Sequence, residues 1–320
     1  MQAGGGNTSV KEQGTLWVKA SGKWLIHAAQ EDMFLPVPLA DILRSIEQGF
    51  EYTQEYNTAS GVLLRPSVET TMHAVIPQPV VVHVHSVRTM ALASRADAEQ
   101  RLAERLSGLR YAWVPYVHPG LPLAQEIQRH LDRNPEVLVL GNHGLVVAAG
   151  TCDQAEALLR DVEERLGDEV VSSPAADLDA LRRLTSGTPW CLSFDEEAHA
   201  IATNPRSCAL ATGGTMYPDH CVYLGPAAAS VRAGEALETA VSRYRARYDY
   251  EPKALLVEGY GVIVSPDMSR AARELLLCLK RVVERIPTEA AVHYLEDWQV
   301  AKLMNWDAEK YRLAIAQHEG

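Results

Sequence analysis

Apolar and polar positions along the chain change period repeatedly, and the changes outline alternating strands and helices. Leu16–Ala20 (LWVKA) and Val80–His85 (VVVHVH) are short apolar runs that predict strands. Asp97 to Leu109 and Pro122 to His130 carry their apolar residues at helical spacing. Val137–Leu140 and Leu145–Ala148 flank Gly141-Asn142-His143-Gly144, which predicts a strand, a tight turn and a second strand. From Cys152 to Leu166, the residues Ala155, Leu158, Leu159, Val162 and Leu166 fall on one helical face. Such alternation predicts an α/β layered fold.

Gly167 to Pro189 breaks the pattern with Ser172-Ser173-Pro174, a short acidic helix and Thr185-Ser186-Gly187-Thr188-Pro189. The expected organisation is therefore a first domain over 1–170, a linker over 171–190 and a second domain over 191–320. The second domain reads as a degenerate copy of part of the first. Without gaps, Pro135 to Leu166 lies on Pro252 to Val283: Leu138 meets Leu255, Gly144 meets Gly261, and Ala155, Leu158 and Leu159 meet Ala272, Leu275 and Leu276. His143 falls opposite Tyr260, and the second copy has no HxH, so it is expected to be metal-free and structural.

Composition narrows the class of protein. The chain has 320 residues with a net charge of −11, which disfavours nucleic acid and anionic membranes as partners. Cys152, Cys191, Cys208, Cys221 and Cys278 lie far apart, without a CxxC pair, so a reducing, cytoplasmic setting is expected. The N-terminal stretch has no apolar leader, and no run of about 18 apolar residues occurs, so no membrane association is expected.

Candidate chemistry centres on three histidines. His83 and His85 sit at i and i+2 in a strand, so both imidazoles project to one side. Neutral, they lack partners in an apolar layer; protonated, they repel; a divalent ion resolves both problems. A pair of core histidines with carbonyl partners gives the same pattern. A third, His143, favours the metal reading, because three His with an open position is a catalytic arrangement. Glu69, in PSVET, reads either as a metal-site carboxylate or as a first-turn acid behind a Ser67 cap. Gly4-Gly5-Gly6-Asn7-Thr8-Ser9 and Lys19-Ala20-Ser21-Gly22 are amide-rich segments able to approach an anion, or plain turns. Tyr116 is a candidate proton donor or a loop aromatic.

Taken in order, GGNTS, KASG, PSxET, HxH, PYxxPG and NHG resemble the class II aldolase/adducin family. The resemblance is strong over residues 4 to 166, and is greatest to the long members that include the aldolase part of bifunctional rhamnulose-phosphate aldolase/dehydrogenases. It implies a three-layer α/β/α fold and a metal-dependent lyase. That lyase would cleave or form a C–C bond in a small sugar-derived hydroxy-carbonyl or ketose phosphate through a metal-stabilised enediolate. His83, His85 and His143 would hold a divalent ion, most simply Zn2+. Glu69 would shuttle the proton, and Tyr116 would protonate the aldehyde oxygen. Gly6, Asn7, Ser21, Gly22 and Ser67 would surround the anionic end of the substrate. A homo-oligomer is implied as well.

Three features depart from the family pattern. Val68 stands where a second Ser is common, which weighs against a phosphorylated substrate. The stretch from Glu69 to His83 is short. The chain also opens directly on the glycine loop, which reads as a truncated or late-started form. Epimerisation or decarboxylation at the same metal site is the alternative activity, and a non-catalytic adducin-like module the alternative class. A dehydrogenase finds no GxGxxG fingerprint.

Overall fold

The computed structural model describes residues 2–58 and 60–318, with side chains through residue 315. The chain forms two units, Met1–Ala93 with Ala98–Gly167, and Ser94–Asp97 with Asp168–Gly320.

The first unit runs β1 (Asn7–Glu12), β2 (Thr15–Lys19), β3 (Phe34–Pro38), α1 (Leu39–Glu47), β4 (Tyr56–Asn57), β5 (Leu63–Leu64), α2 (Thr70–Val75), β6 (Val80–Val84), α3 (Val87–Ala93), α4 (Ala98–Arg105), β7 (Tyr111–Val114), α5 (Leu121–Gln128), β8 (Val137–Leu140), β9 (Gly144–Ala149) and α6 (Cys152–Leu166). Its main sheet has the order β3-β2-β1-β6-β9-β8-β7. Within that sheet β7 and β8 are parallel and the other neighbours antiparallel. The parallel pair is joined across α5, because two parallel strands cannot close with a tight turn.

The strand runs at 137–140 and 145–148 are apolar throughout because both faces of the sheet are covered. Leu138, Leu140, Val146 and Ala148 pack with residues of α1, α2 and α5. Val137, Val139, Leu145 and Val147 face the opposite core, with Leu92, Leu102, Val162 and Leu166 from α3, α4 and α6. Each such fully buried Val or Leu contributes about 1.5–3 kcal/mol. The result is a mixed α/β unit with helices on both faces of the sheet. The helix expected over Asp97–Leu109 is shorter, because Gly108 takes φ 86 and the chain turns before Leu109.

The second unit contains α7 (Leu178–Thr185), β10 (Cys191–Leu192), α8 (Ala200–Thr203), α9 (Pro205–Gly213), α10 (Pro218–Leu224), β11 (Ala229–Val231), α11 (Leu237–Tyr248), β12 (Ala254–Val257), β13 (Gly261–Val264), α12 (Arg270–Val283), α13 (Asp297–Met304) and α14 (Asp307–His318). Its sheet has the order β10-β13-β12-β11. Residues 171–190, expected as a linker, include α7, whose Leu181 is buried with Val231, Leu237, Leu255 and Ile263. Ser94–Asp97 joins this unit through backbone pairing: Ala96 N–H donates to Ala291 O, and His293 N–H to Ser94 O. No helix among the described residues is long and apolar enough to cross a membrane.

Candidate metal centre

The centre is assembled at the end of β6. Along that strand Val81 packs with the α2 and α5 side, while Val84 belongs to the opposite core. Strand alternation therefore turns His83 toward α2. His83 lies between Asn7 of β1 and Val146 of β9 in the strand register. His85 is one residue past the strand end. His143 comes from the turn between β8 and β9. In that turn Asn142 adopts φ 49, and Gly141 N–H donates to Val114 O at 2.8 Å. Gly144 has to be glycine for reasons of space: a Cβ there would lie 2.7 Å from Val84 O and 3.1 Å from His83 Cε1.

One donor atom each from Glu69, His83, His85 and His143 lies within 4.8 Å of every other, and all four residues are buried. His83 Nε2 is 3.1 Å from His85 Nε2 and 3.4 Å from Glu69 Oε2. His143 Nε2 is 3.3 Å from Glu69 Oε1. Zinc bonds of about 2.0–2.1 Å in a tetrahedron would set donor atoms roughly 3.3–3.4 Å apart, so these spacings fit such an ion. His83 Nδ1 lies 3.1 Å from Leu145 O, where an Nδ1–H donates and leaves the Nε2 lone pair facing the cluster. Three imidazoles and one carboxylate form a donor set suited to zinc or a similar divalent ion.

Glu69 stands at the N-cap position of α2, a six-residue helix, and its side chain caps nothing. Ser67 does not cap the helix either, because it lies two residues ahead; its Oγ accepts from Glu69 N–H at 3.3 Å. Asn7 Nδ2 donates to Ser67 Oγ at 2.7 Å and to Glu69 Oε2 at 2.9 Å. Burial opposes ionisation of Glu69. The electrostatic pull of His83, His143 and His85, with the Asn7 bond, outweighs it and holds the carboxyl at about 2.

The other expected site residues lie on segments that pack against one another next to Asn7, Ser67 and the His143 turn. Gly4 packs so closely on the KASG segment that a Cβ there would meet Gly22 O at 3.0 Å. Lys19 Nζ donates to Gly4 O at 2.8 Å, which ties the two glycine-bearing segments together. Gly6 and Gly22 adopt φ 66 and 80. Ala20 bridges to Pro66, which brings Ser21 beside the PSVET turn, and among the described residues the buried Ser21 Oγ has no hydrogen-bond partner. Tyr116 follows β7 and is half-buried; its backbone N lies 3.1 Å from where a Cβ on Gly141 would be, at the base of the His143 turn.

His73 and Ser9 belong to the site but were not identified from the sequence. Ser9 Oγ is 2.7 Å from His73 Nδ1, and His73 Nε2 bonds Asn7 Oδ1. Because Oδ1 can only accept, His73 carries its proton on Nε2 and takes the Ser9 hydroxyl proton at Nδ1. Burial first, then the charges of His83 and Lys11, push His73 down to about 3, so the ring is neutral. The available signal was its position four residues after Glu69, on the same helical face.

Among the remaining histidines, His293 is exposed, and the His318 side chain lies outside the described residues. His199 is buried, and its Nδ1 accepts from Val262 N–H at 2.9 Å. His220 lies in α10, and its Nδ1 accepts from Met216 N–H at 3.3 Å.

Residues 1–167 match the family described as Class II Aldolase and Adducin N-terminal domain. A Bacillus subtilis (strain 168) protein named "Uncharacterized oxidoreductase YuxG" is 24% identical over 393 aligned positions, covering 99% of this chain and 56% of that protein. The chain thus spans little more than half the length of that relative. The N-terminal class II aldolase domain of a conserved protein from Thermoplasma acidophilum is similar over 51% of this chain and 82% of that one, with 25% identity and a TM-score of 0.42. L-fuculose-1-phosphate aldolase from Thermus thermophilus is similar over 58% of this chain and 88% of that one, at 19% identity and a TM-score of 0.35.

Proposed function

The chain belongs to the class II aldolase and adducin N-terminal domain family, and from that premise we propose a metal-dependent aldolase acting on a small, sugar-derived hydroxy-carbonyl compound. The observation that carries this reading is the buried cluster of Glu69, His83, His85 and His143. An adducin-like module without chemistry has no use for four buried metal-type donors. A divalent ion, zinc by the donor set, would supply a Lewis acid that polarises the substrate carbonyl.

The protein's own residues do the rest. His83, His85 and His143 would hold the ion, with the His83 ring fixed by the Leu145 carbonyl. Asn7 pins Glu69 Oε2, while Oε1 accepts no hydrogen bond and serves to take and return a proton. Tyr116 protonates the aldehyde oxygen as the C–C bond forms, and in the cleavage direction takes the proton of that same hydroxyl as it becomes the aldehyde carbonyl. Ser21 Oγ, Ser67 and the backbone around Gly6 and Gly22 take the anionic end of the substrate. An oxidoreductase role, as in the name of the Bacillus subtilis relative, has no GxGxxG segment to rest on in this chain. We expect the enzyme to act in the cytoplasm as a homo-oligomer, which sedimentation reads directly.

The test is metal content with product analysis. About one divalent ion per chain is expected, lost with activity on chelation or in His143→Ala. Ketoses and ketose phosphates should release an aldehyde fragment. An intact chain without affinity for divalent ions would overturn the proposal, and turnover without an aldehyde fragment would make it an epimerase or a decarboxylase.

We further propose that the second unit is a copy of β6–β9 and α6 without the metal ligands. The strand registers support this. β7 and β8 are parallel with Ala112 opposite Leu138, and β11 and β12 are parallel with Ala229 opposite Leu255. Leu138 pairs Val146 and Leu140 pairs Gly144; Leu255 pairs Ile263 and Val257 pairs Gly261. On the far side His83 pairs Val146, and Leu192 pairs Ile263. Leu192, Phe194 and Tyr260 thus stand where His83, His85 and His143 would be. Asp177 is the N-cap of α7 as Glu69 is of α2, so the copy reaches back ahead of residue 191.

A further inference from the structure

The copied register leads to one place in the second unit, the ends of the parallel strands β11 and β12. In the first unit the corresponding ends, after Val114 and Leu140, carry the loop of Tyr116 and the turn of His143. In open α/β sheets this is where ligands settle. With Leu192, Phe194 and Tyr260 in place of imidazoles, no metal chemistry survives there. Degeneration of a site by packing alone would fill it.

The place is not filled. A cavity of about 520 Å³ opens there, lined among others by Leu181, Arg183, Val231, Arg232, Val257 and Tyr260. That volume falls within the range of small-molecule pockets, roughly 300–1,000 Å³. Its walls are mainly aliphatic; the exposed Arg183 of α7 and Arg232 of the loop after β11 line it, together with Glu235 and Glu258. Among the described residues neither guanidinium donates a hydrogen bond. The lining acid closest in sequence to Arg232 is Glu235, whose carboxylate is taken by Arg243 at 3.0–3.1 Å and by Arg232 N–H at 3.0 Å. Both arginines are exposed at the cavity, so their donors can turn to a bound anion without breaking a contact within the protein.

We infer that this cavity is a second, metal-independent binding site for a small organic anion, with an apolar body against Leu181, Val231 and Val257 and its charged end on Arg183 and Arg232. Carboxylates and phosphate esters share the chemistry that two guanidinium groups recognise. The site rests on the copied architecture proposed above, but its test requires neither metal nor turnover.

Full-length protein stripped of metal by a chelator is titrated calorimetrically with phenyl phosphate, benzoate and inorganic phosphate. Saturable binding of phenyl phosphate or benzoate is expected, and whichever binds identifies the anionic group. The Arg183→Ala, Arg232→Ala double variant should weaken it at least tenfold, while His143→Ala leaves it unchanged. A thermal melt like that of the parent chain verifies that the double variant is folded. Three results overturn the inference: no saturable binding of either aromatic anion, binding indifferent to the arginines, or inorganic phosphate bound as tightly as phenyl phosphate. Loss of activity without loss of this binding would concern the first unit alone.

Discussion

Taken residue by residue, the candidate centre is held by groups that do not touch the reacting atoms. His73 gives its Nε2 proton to Asn7 Oδ1, and this decides which end of the Asn7 amide faces Glu69. In His73→Leu that choice is lost, and an amide flip would turn an oxygen toward the carboxylate. Turnover should fall about 10–100-fold while metal content stays near one ion per chain, and His73→Gln, which can still donate, should recover part of it. Steady-state kinetics alongside metal analysis separates this positioning role from loss of the ion. A different buried ring sets a pH limit. Burial lowers His220 from an ordinary value of 6.5 to about 3. Between those values the unfolded chain binds the proton and the folded chain does not. Stability is therefore whole above pH 6.5 and declines below it, by about 1.4 kcal/mol per pH unit for this residue. Urea unfolding at pH 7.5 and 5.5 should show that decline, with a shallower one in His220→Gln.

Among the elements, the hairpin of β8 and β9 carries the most. Gly144→Ala would drive a Cβ to 2.7 Å from Val84 O, a backbone atom that cannot swing aside. The expected cost is about 1–3 kcal/mol, with weakened metal retention because His83 Cε1 is the next atom met. Thermal melting and metal titration of the variant measure both. This hairpin was legible in the sequence, because two apolar runs around Gly-Asn-His-Gly specify strand, turn and strand by local chemistry alone. The helix from Cys152 to Leu166 was legible for the same reason: its period is uninterrupted and Thr151 caps it. The role of α2 was not. Its six residues are all buried, so it shows no polar face from which an orientation could be read. Nothing in the periodicity of the sequence therefore sets His73 apart from the apolar residues around it. The convergence of the KASG segment with PSVET also escaped, since the Ala20–Pro66 bridge joins residues with no periodic relation.

At the scale of the full chain, the proposal that the second unit copies part of the first can be tested directly. If the second is a copy, restoring the missing ligands should restore a site. Leu192→His, Phe194→His and Tyr260→His together, with Asp177 as a fourth donor, should raise bound divalent metal from about one to about two ions per chain, read by elemental analysis. A folded triple variant that still binds one would remove the case for duplication. The assignment of Ser94–Asp97 to the second unit has a consequence for synthesis. This short segment leaves the ribosome early, yet its partners at 291–293 are made almost 200 residues later. At translation speeds of about 5–20 residues per second, it waits on the order of 10–40 s with its backbone groups open to solvent. The same threading means that no single cut releases the second unit intact. A fragment starting at Asp168 would lack Ser94–Asp97 and expose the edge at 291–293, a surface ready to pair with other chains.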